Sequence, residues 1–419
     1  MIVRVIPVLF ASAALGAGAV GVAVTRSPAP VSFTSQHDWE HGRPGPDSAR
    51  VAMLLDALGR TDPLVCDLLG DQIGNFWSSG ERGGIGRLAA SPTTLRAAKD
   101  SIGGTITDAR AIKRLVVELD TPNACTRRVA SKLLGRSTIA TAQLEALLSD
   151  ASPNVRESAA MAAGSGEHRD VVPTLVKALD DRVPAVGAMA AWALGEIEDH
   201  TAVPALIKAL RGGEPRVRLA AIWALGQLED SRATPEVLTT LRDPDPTTRA
   251  VSADVLGHLE SADAIGPLER ALGNDTDWSV REAAAKALGH ISARTSATAL
   301  GKALVDPDVR VRRAAAEAIG DLDDLESAPG GLVAALSSSD AELRQRAAKA
   351  LCSIGDPATT SALVGLLSSS DSDLRKDAVE GLGKIGTPEA VRGITRALGD
   401  RDPQVRRAAA EALGEAKDH

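Results

Sequence analysis

Val217 to Gly226 reads V-R-L-A-A-I-W-A-L-G, and near-copies of it recur along the chain. Val280–Gly289 is V-R-E-A-A-A-K-A-L-G, Val311–Gly320 is V-R-R-A-A-A-E-A-I-G, and Val405–Gly414 is V-R-R-A-A-A-E-A-L-G. The closing position runs through ten copies, at Gly135, Gly164, Gly195, Gly226, Gly257, Gly289, Gly320, Cys352, Gly383 and Gly414, in steps of 29 to 32 residues. Eight residues earlier stands Arg127, Arg156, Arg218, Arg249, Arg281, Arg312, Arg344, Arg375 or Arg406, with Gly187 in the third copy. A Leu column, from Leu119 and Leu148 to Leu398, keeps the same step, with Leu272 one place further back. Columns held in register over roughly 300 residues mean one structural unit stacked on itself, a solenoid.

Each unit reads as two helices. In the fourth, Val203–Leu210 carries Pro204 in its first turn, where the missing N–H costs nothing. Gly212-Gly213-Glu214 makes the turn, and Pro215–Leu225 is the second helix. Gly226 is expected to end it in the left-handed conformation that glycine adopts freely. Helices this short are marginal alone in water, so neighbouring copies must bury their leucines. The third residue after the Arg position is Ala in nine copies, including Ala221, Ala284, Ala315 and Ala409, and Ser252 in the other. So small a column predicts close helix–helix approach, where a larger side chain would overpack the stack.

These motifs resemble HEAT repeats, in particular the short type of phycobilisome-lyase-like proteins. The match is carried by Asp-Pro before the second helix (Asp245-Pro246, Asp306-Pro307, Asp402-Pro403), Val-Arg behind it, Ala-Ala in mid-helix and Ala-Leu-Gly at its end. The resemblance covers about residues 105–419. It implies an all-α solenoid of about ten two-helix repeats, a ladder between the Arg column and Asp residues of neighbouring copies, and second helices lining the concave side. Bilin lyase activity would be implied by the family name, but a secretory N-terminus conflicts with a phycobilisome role in the cytoplasm.

Residues 1–26 are a different material. Val5–Val24 is apolar, small and uncharged, with Arg4 before it and Arg26 after it. This is either a secretory signal or an uncleaved membrane anchor, and both place the body outside the cytoplasm, periplasmic or secreted. Residues 27–46, with four prolines, read as a linker. Residues 47–104 read as a helical cap followed by a Gly-rich loop: Asp47–Leu58 has helical apolar spacing, Asp62–Leu69 forms a second helix, and glycines interrupt Ile73–Thr105. Three cysteines, at 66, 125 and 352, are no disulfide framework. Cys66 and Cys125 can bridge in an oxidising compartment, and free buried thiols are the simpler expectation. The net charge of −8 argues against nucleic acid as a partner.

Chemistry is hard to find. His37 and His41 stand four apart but lie in the proline-rich linker. Gly83-Gly84-Ile85-Gly86-Arg87 lacks the Gly-Lys-Ser/Thr ending of a phosphate loop. HEAT-like deoxyhypusine hydroxylases hold iron through His-Glu pairs, and the chain has no His-Glu dipeptide. His258 and His290 share a column in adjacent copies, which at about 10 Å between helices is wide for one metal. A cation beside a helix C-terminus accounts for them more simply. No catalytic, cofactor-binding or metal residue is assigned.

One face carries more than fold. Five residues after the Arg position the copies read Lys132, Met161, Trp192, Trp223, Asp254, Lys286, Glu317, Lys349, Glu380 and Glu411. The position four earlier shares the helix face, predicting pairs Glu282–Lys286, Arg313–Glu317, Lys376–Glu380 and Arg407–Glu411. In copies two to four this charged row becomes Met161, Ala188, Trp192, Leu219 and Trp223, an apolar patch of the kind that binds partners. The rings could instead pack on each other or lie under the N-terminal segment. The expectation is a non-catalytic scaffold holding a protein or peptide. The alternatives are a lyase-type or cofactor-handling enzyme, or a sensor module in a membrane-associated complex.

Overall fold

The computed structural model describes residues 48–58, 104–212, 214–322 and 324–415. The expected leader, linker, Gly-rich loop and second cap helix, and Cys66, His37 and His41 with them, lie outside the described residues. Helices are the only named elements among those described, apart from one bridge between Ile106 and Ser137. No helix among them is long and apolar enough to cross a membrane.

The chain divides into two compact units, residues 1–138 and 139–419. The first holds α1 (Ser48–Leu58), α2 (Ala109–Glu118) and α3 (Ala124–Gly135), the last two being the first copy of the repeat. Asp108 caps α2 by accepting from the N–H groups of Arg110 and Ala111, and also accepts from Ser48 N at 3.1 Å, which ties the start of α1 to it. Val51 and Leu55 of α1 are buried, as the spacing predicts.

The second unit holds nine further pairs. Their first helices are α4 (Thr141–Leu148), α6 (Val172–Ala178), α8 (Val203–Leu210), α10 (Thr234–Thr240), α12 (Ile265–Asn274), α14 (Ala297–Ala303), α16 (Gly330–Ala335), α18 (Thr360–Leu366) and α20 (Pro388–Ala397). Their second helices are α5 (Pro153–Ser165), α7 (Pro184–Ile197), α9 (Pro215–Gln227), α11 (Pro246–His258), α13 (Trp278–His290), α15 (Val309–Gly320), α17 (Ala341–Ile354), α19 (Ser372–Ile385) and α21 (Pro403–Glu415). Consecutive second helices pack directly on one another. The small column is fully buried, Ala221, Ala284 and Ser252 at 0 % exposure, and the Ser252 hydroxyl is satisfied by Thr248 O at 2.6 Å and Thr240 Oγ1 at 2.7 Å.

The closing glycines do something other than expected. Gly226 lies inside α9, and the left-handed residue is Glu229, at φ 49°. Glu167, Glu198, Glu260 and Ser292 hold the same place, three beyond the closing position, as do Gly355 and Gly386 in the later copies. What requires a closing glycine is the next helix. A Cβ on Gly257 would stand 2.7 Å from Ala287 Cα, and one on Gly289 would stand 2.9 Å from Ala318 Cα. Backbones touch there, and no side-chain carbon fits on the glycine side. The eighth copy inverts the arrangement. Its closing residue is Cys352, and the small residue facing it is Gly381, where a Cβ would lie 2.6 Å from Cys352 Sγ.

The Arg column forms the expected ladder. Arg156 pairs with Asp181 at 2.7 Å, Arg218 with Asp243 at 2.9 Å, and Arg249–Asp275, Arg281–Asp306 and Arg375–Asp400 each at 2.8 Å. Each guanidinium reaches the loop of the following copy, and most also bond carbonyls of their own loop, as Arg156 does to Asp150 O and Ala151 O. Each carboxylate also accepts a loop N–H two residues on, Asp400 from Asp402 N at 2.8 Å. Where the Arg is missing, at Gly187, the facing carboxylate is missing too, at Gly212. Opposite Arg312 and Arg344 the carboxylate is replaced by Ser338 and Ser369, whose hydroxyls still accept the loop N–H of Asp340 and Asp371.

Of the cysteines, Cys352 is free and buried, and burial pushes its thiol up to about 12. Cys125 is disulfide-bonded. That corrects the expectation of a free thiol at that position.

Two outcomes follow from this packing. Gly381→Ala should lower the thermal midpoint, at an overpacking cost of about 1–3 kcal/mol. Adding Cys352→Gly restores the arrangement of the other copies and should recover most of the loss in the same melt. Second, the Arg375 guanidinium holds the Asp400 carboxyl down at about 2, below the ordinary 3.8. A depressed carboxylate stabilises the fold above the unfolded value and loses that contribution as pH falls through the folded one. The urea midpoint should therefore drop between about pH 4 and pH 2. Asp400→Asn should start lower at pH 7 and fall less steeply across that window.

Candidate functional site

The second helices set the site because their exposed columns recur at every step of the stack. From the sixth copy on, the outer column is open to solvent, at Lys286, Glu317, Lys349, Glu380 and Glu411. Three predicted in-helix pairs form, Lys286–Glu282 at 2.6 Å, Lys376–Glu380 at 3.0 Å and Arg407–Glu411 at 2.8 Å. The fourth does not. Arg313 turns instead to the next copy, where its Nε donates to Asp340 at 2.9 Å and a terminal nitrogen meets Glu342. Glu317 in turn takes Arg346, which also bonds Glu342 at 2.7 Å. Cross-copy pairing wins because the copies stand close enough for a planar guanidinium to meet carboxylates on the neighbouring helix. The result is a charged basin of about 360 Å³ between α13, α15 and α17, lined by Lys286, His290, Arg313, Glu317 and Arg346 among others.

In copies two to four the row is apolar, as the sequence shows, but less open than expected. Met161, Ala188, Trp192 and Leu219 are half-buried, while Trp223 is only 9 % exposed. The cause is the closing glycine. Trp192 Cζ3 lies 2.8 Å from where a Cβ on Gly164 would stand, and Trp223 Cζ3 lies 2.9 Å from the same point on Gly195. Each indole covers the bare backbone of the copy before it. The reading of Trp223 as an exposed contact residue is therefore corrected: it is a packing residue. Its Nε1 is buried with no acceptor among the described residues. Such a donor costs about 1–3 kcal/mol, which the burial of the ring must exceed. Trp192 keeps part of its ring in solvent, beside Met161, Ala188 and Leu219.

Trp278, at the start of α13, stacks under the guanidinium of Arg310, whose carbon is 3.1 Å from the ring centroid, and Arg310 also pairs with Asp308 at 2.7 Å. That pairing holds the Asp308 carboxyl at about 2. His258 and His290, expected about 10 Å apart, have ring centroids 5.1 Å apart. The estimate from helix spacing failed because both residues end their helices and their rings lean toward each other. Among the described residues no three His, Cys, Asp or Glu side chains converge as metal ligands.

A family model for HEAT repeats matches residues 139–214, 203–289, 270–330 and 329–414. A comparison with curated proteins gives no match. Among solved structures, an engineered protein is similar at 22 % identity and TM-score 0.49, over 84 % of this chain and 98 % of that one. Importin beta is similar at 13 % identity and TM-score 0.46, over 88 % of this chain and 53 % of its own, so the chain spans about half of importin beta. Human deoxyhypusine hydroxylase aligns at 19 % identity and TM-score 0.29, over 61 % of this chain and 99 % of that one.

The two indoles should separate under truncation. Trp223→Ala removes a buried aromatic and should cost about 3–5 kcal/mol. Trp192→Ala, which loses a half-exposed ring, should cost about half of that. The relative shift of the two urea midpoints decides the comparison, and equal shifts would contradict the difference in burial.

Proposed function

The chain belongs to the HEAT-repeat family, and we propose that it is a non-catalytic scaffold that holds a protein or peptide along the face of its second helices, outside the cytoplasm. Its fold is of the protein-interaction kind: a solenoid offers a long, regular surface and keeps its chemistry in stacking contacts. The observation that carries the reading is the change along that surface. Met161, Ala188, Trp192 and Leu219 give a half-buried apolar stretch on α5 to α9, and further along the stack the same row lines the charged basin of α13 to α17. A partner with an apolar anchor and polar flanks fits that order, the anchor being desolvated and the flanks selected by charge.

Two features support the compartment. Residues 1–26 have the composition of a leader or anchor. The disulfide at Cys125 belongs to an oxidising environment.

Capture from an extracytoplasmic fraction tests both parts. Trp192→Ala, chosen because it leaves the packing residue Trp223 in place, should recover at least tenfold less of the partner that the wild type enriches. A charge reversal at Lys286 should weaken capture less and change its salt dependence. Equal recovery by wild type and Trp192→Ala would sink the docking face. A partner found only in the cytoplasm would sink the compartment.

A further inference from the structure

Geometry at the ends of α11 and α13 points to a second site, and from it we infer that His258 and His290 together bind a borderline divalent transition metal such as Zn2+, Ni2+ or Cu2+. The inference does not depend on the docking face, although His290 also lines the charged basin at one end of it. The two rings are 5.1 Å apart between centroids and inclined at 45°. Metal–nitrogen bonds of about 2.0–2.1 Å put an imidazole centroid roughly 3.2 Å from the ion, so two imidazoles at a tetrahedral angle have centroids about 5 Å apart. The observed separation is that of two imidazoles on one ion, and equally that of two rings in plain contact. It also removes the ground on which the sequence argued against one.

The basin's cations, Lys286, Arg310, Arg313 and Arg346, are each paired with a carboxylate, and Asp254 and Asp321 stand near the two imidazoles. Both histidines close 13-residue helices, where the carbonyl ends carry partial negative charge. Asp254, one turn before His258 on the same face, brings a carboxylate oxygen to 3.8 Å from His258 Nε2. Asp321 Oδ2 lies 3.5 Å from where a Cβ on Gly289 would stand, next to His290. Lys286, one turn before His290, has its ammonium held by Glu282 at 2.6 Å. His290 is exposed and lines the charged basin, and the His258 side chain is 21 % exposed, so an ion can enter from solvent. Two protein ligands leave the remaining positions to water. That suits reversible binding and not the closed shell of a structural site.

The test uses the full chain without an affinity tag, in a His37→Ala/His41→Ala background that removes the paired histidines of the N-terminal segment. Isothermal titration with Zn2+ or Ni2+ should give one saturable site. His258→Gln and His290→Gln should each weaken it at least tenfold while leaving the thermal midpoint of the metal-free protein nearly unchanged. Cu2+ paramagnetic resonance on the background protein should count two coordinated imidazole nitrogens without any further variant. No saturable binding, one imidazole or none in the Cu2+ spectrum, or affinity indifferent to either substitution would each overturn the site.

Discussion

Backbone contact between successive second helices is the constraint that the second unit obeys. At each crossing there is room for about one side-chain carbon, and the sequence places it on one side or the other. Gly257 faces Ala287 and Gly289 faces Ala318, with the carbon on the later copy. Cys352 faces Gly381, with the side chain on the earlier copy. Gly226 faces Val255, whose Cγ2 would lie 2.8 Å from a Cβ there, so a β-branched side chain stands where Ala stands opposite Gly195, Gly257 and Gly289. Close packing of this kind transmits any added volume, because protein interiors have no slack to absorb it. The regular step of the repeat is thus a consequence of the crossing. Helices of six to fourteen residues persist because neighbouring copies clamp them.

The Arg–Asp ladder works at the opposite edge of the same crossing. A guanidinium that spans to the next loop and bonds its own loop carbonyls fixes both loops with one side chain, in a setting shielded enough for charge-assisted bonds to count. Its gaps show how it is built. At Gly187 and Gly212 both partners are lost together, so no buried charge is stranded, and stranding one is the costly case. At Ser338 and Ser369 the loop-capping half of the carboxylate's work survives and the ion pair does not.

Period, helix pairing and ladder were legible because each depends on residue type at a fixed spacing. The role of the closing glycine was not. A glycine near a helix end reads the same whether it frees φ or clears a neighbour, and only the neighbour's coordinates separate the two. The sequence does hold a hint three residues on: Gly355 and Gly386 stand where Glu198, Glu229 and Glu260 adopt positive φ in other copies. Exposure of the indoles failed for a related reason. Seven charged residues in a column mark it as open, but an aromatic ring in that column can fold back over the bare glycine of the previous copy. Trp223 does so almost completely and Trp192 in part. The histidine pair was misplaced because an average helix spacing says nothing about side chains that lean together at helix ends.

Division of labour between columns then says where function can be written. Positions at the crossing and in the ladder are committed to stacking, and a change in one demands a change in its partner, as Cys352 with Gly381 and Gly187 with Gly212 illustrate. The outer row is open to solvent from the sixth copy on and its neighbour one turn earlier is mostly half-buried, and neither is fixed by the crossing or the Arg–Asp ladder. They are where the copies differ most, from Met161 and Trp192 to the basin of Arg313, Glu317 and Arg346. Even there freedom is partial, because Trp223 has been drawn into packing while sitting in the variable row. A surface built this way gains specificity copy by copy, and its most apolar stretch lies where the row meets the glycine floor of α5 and α7.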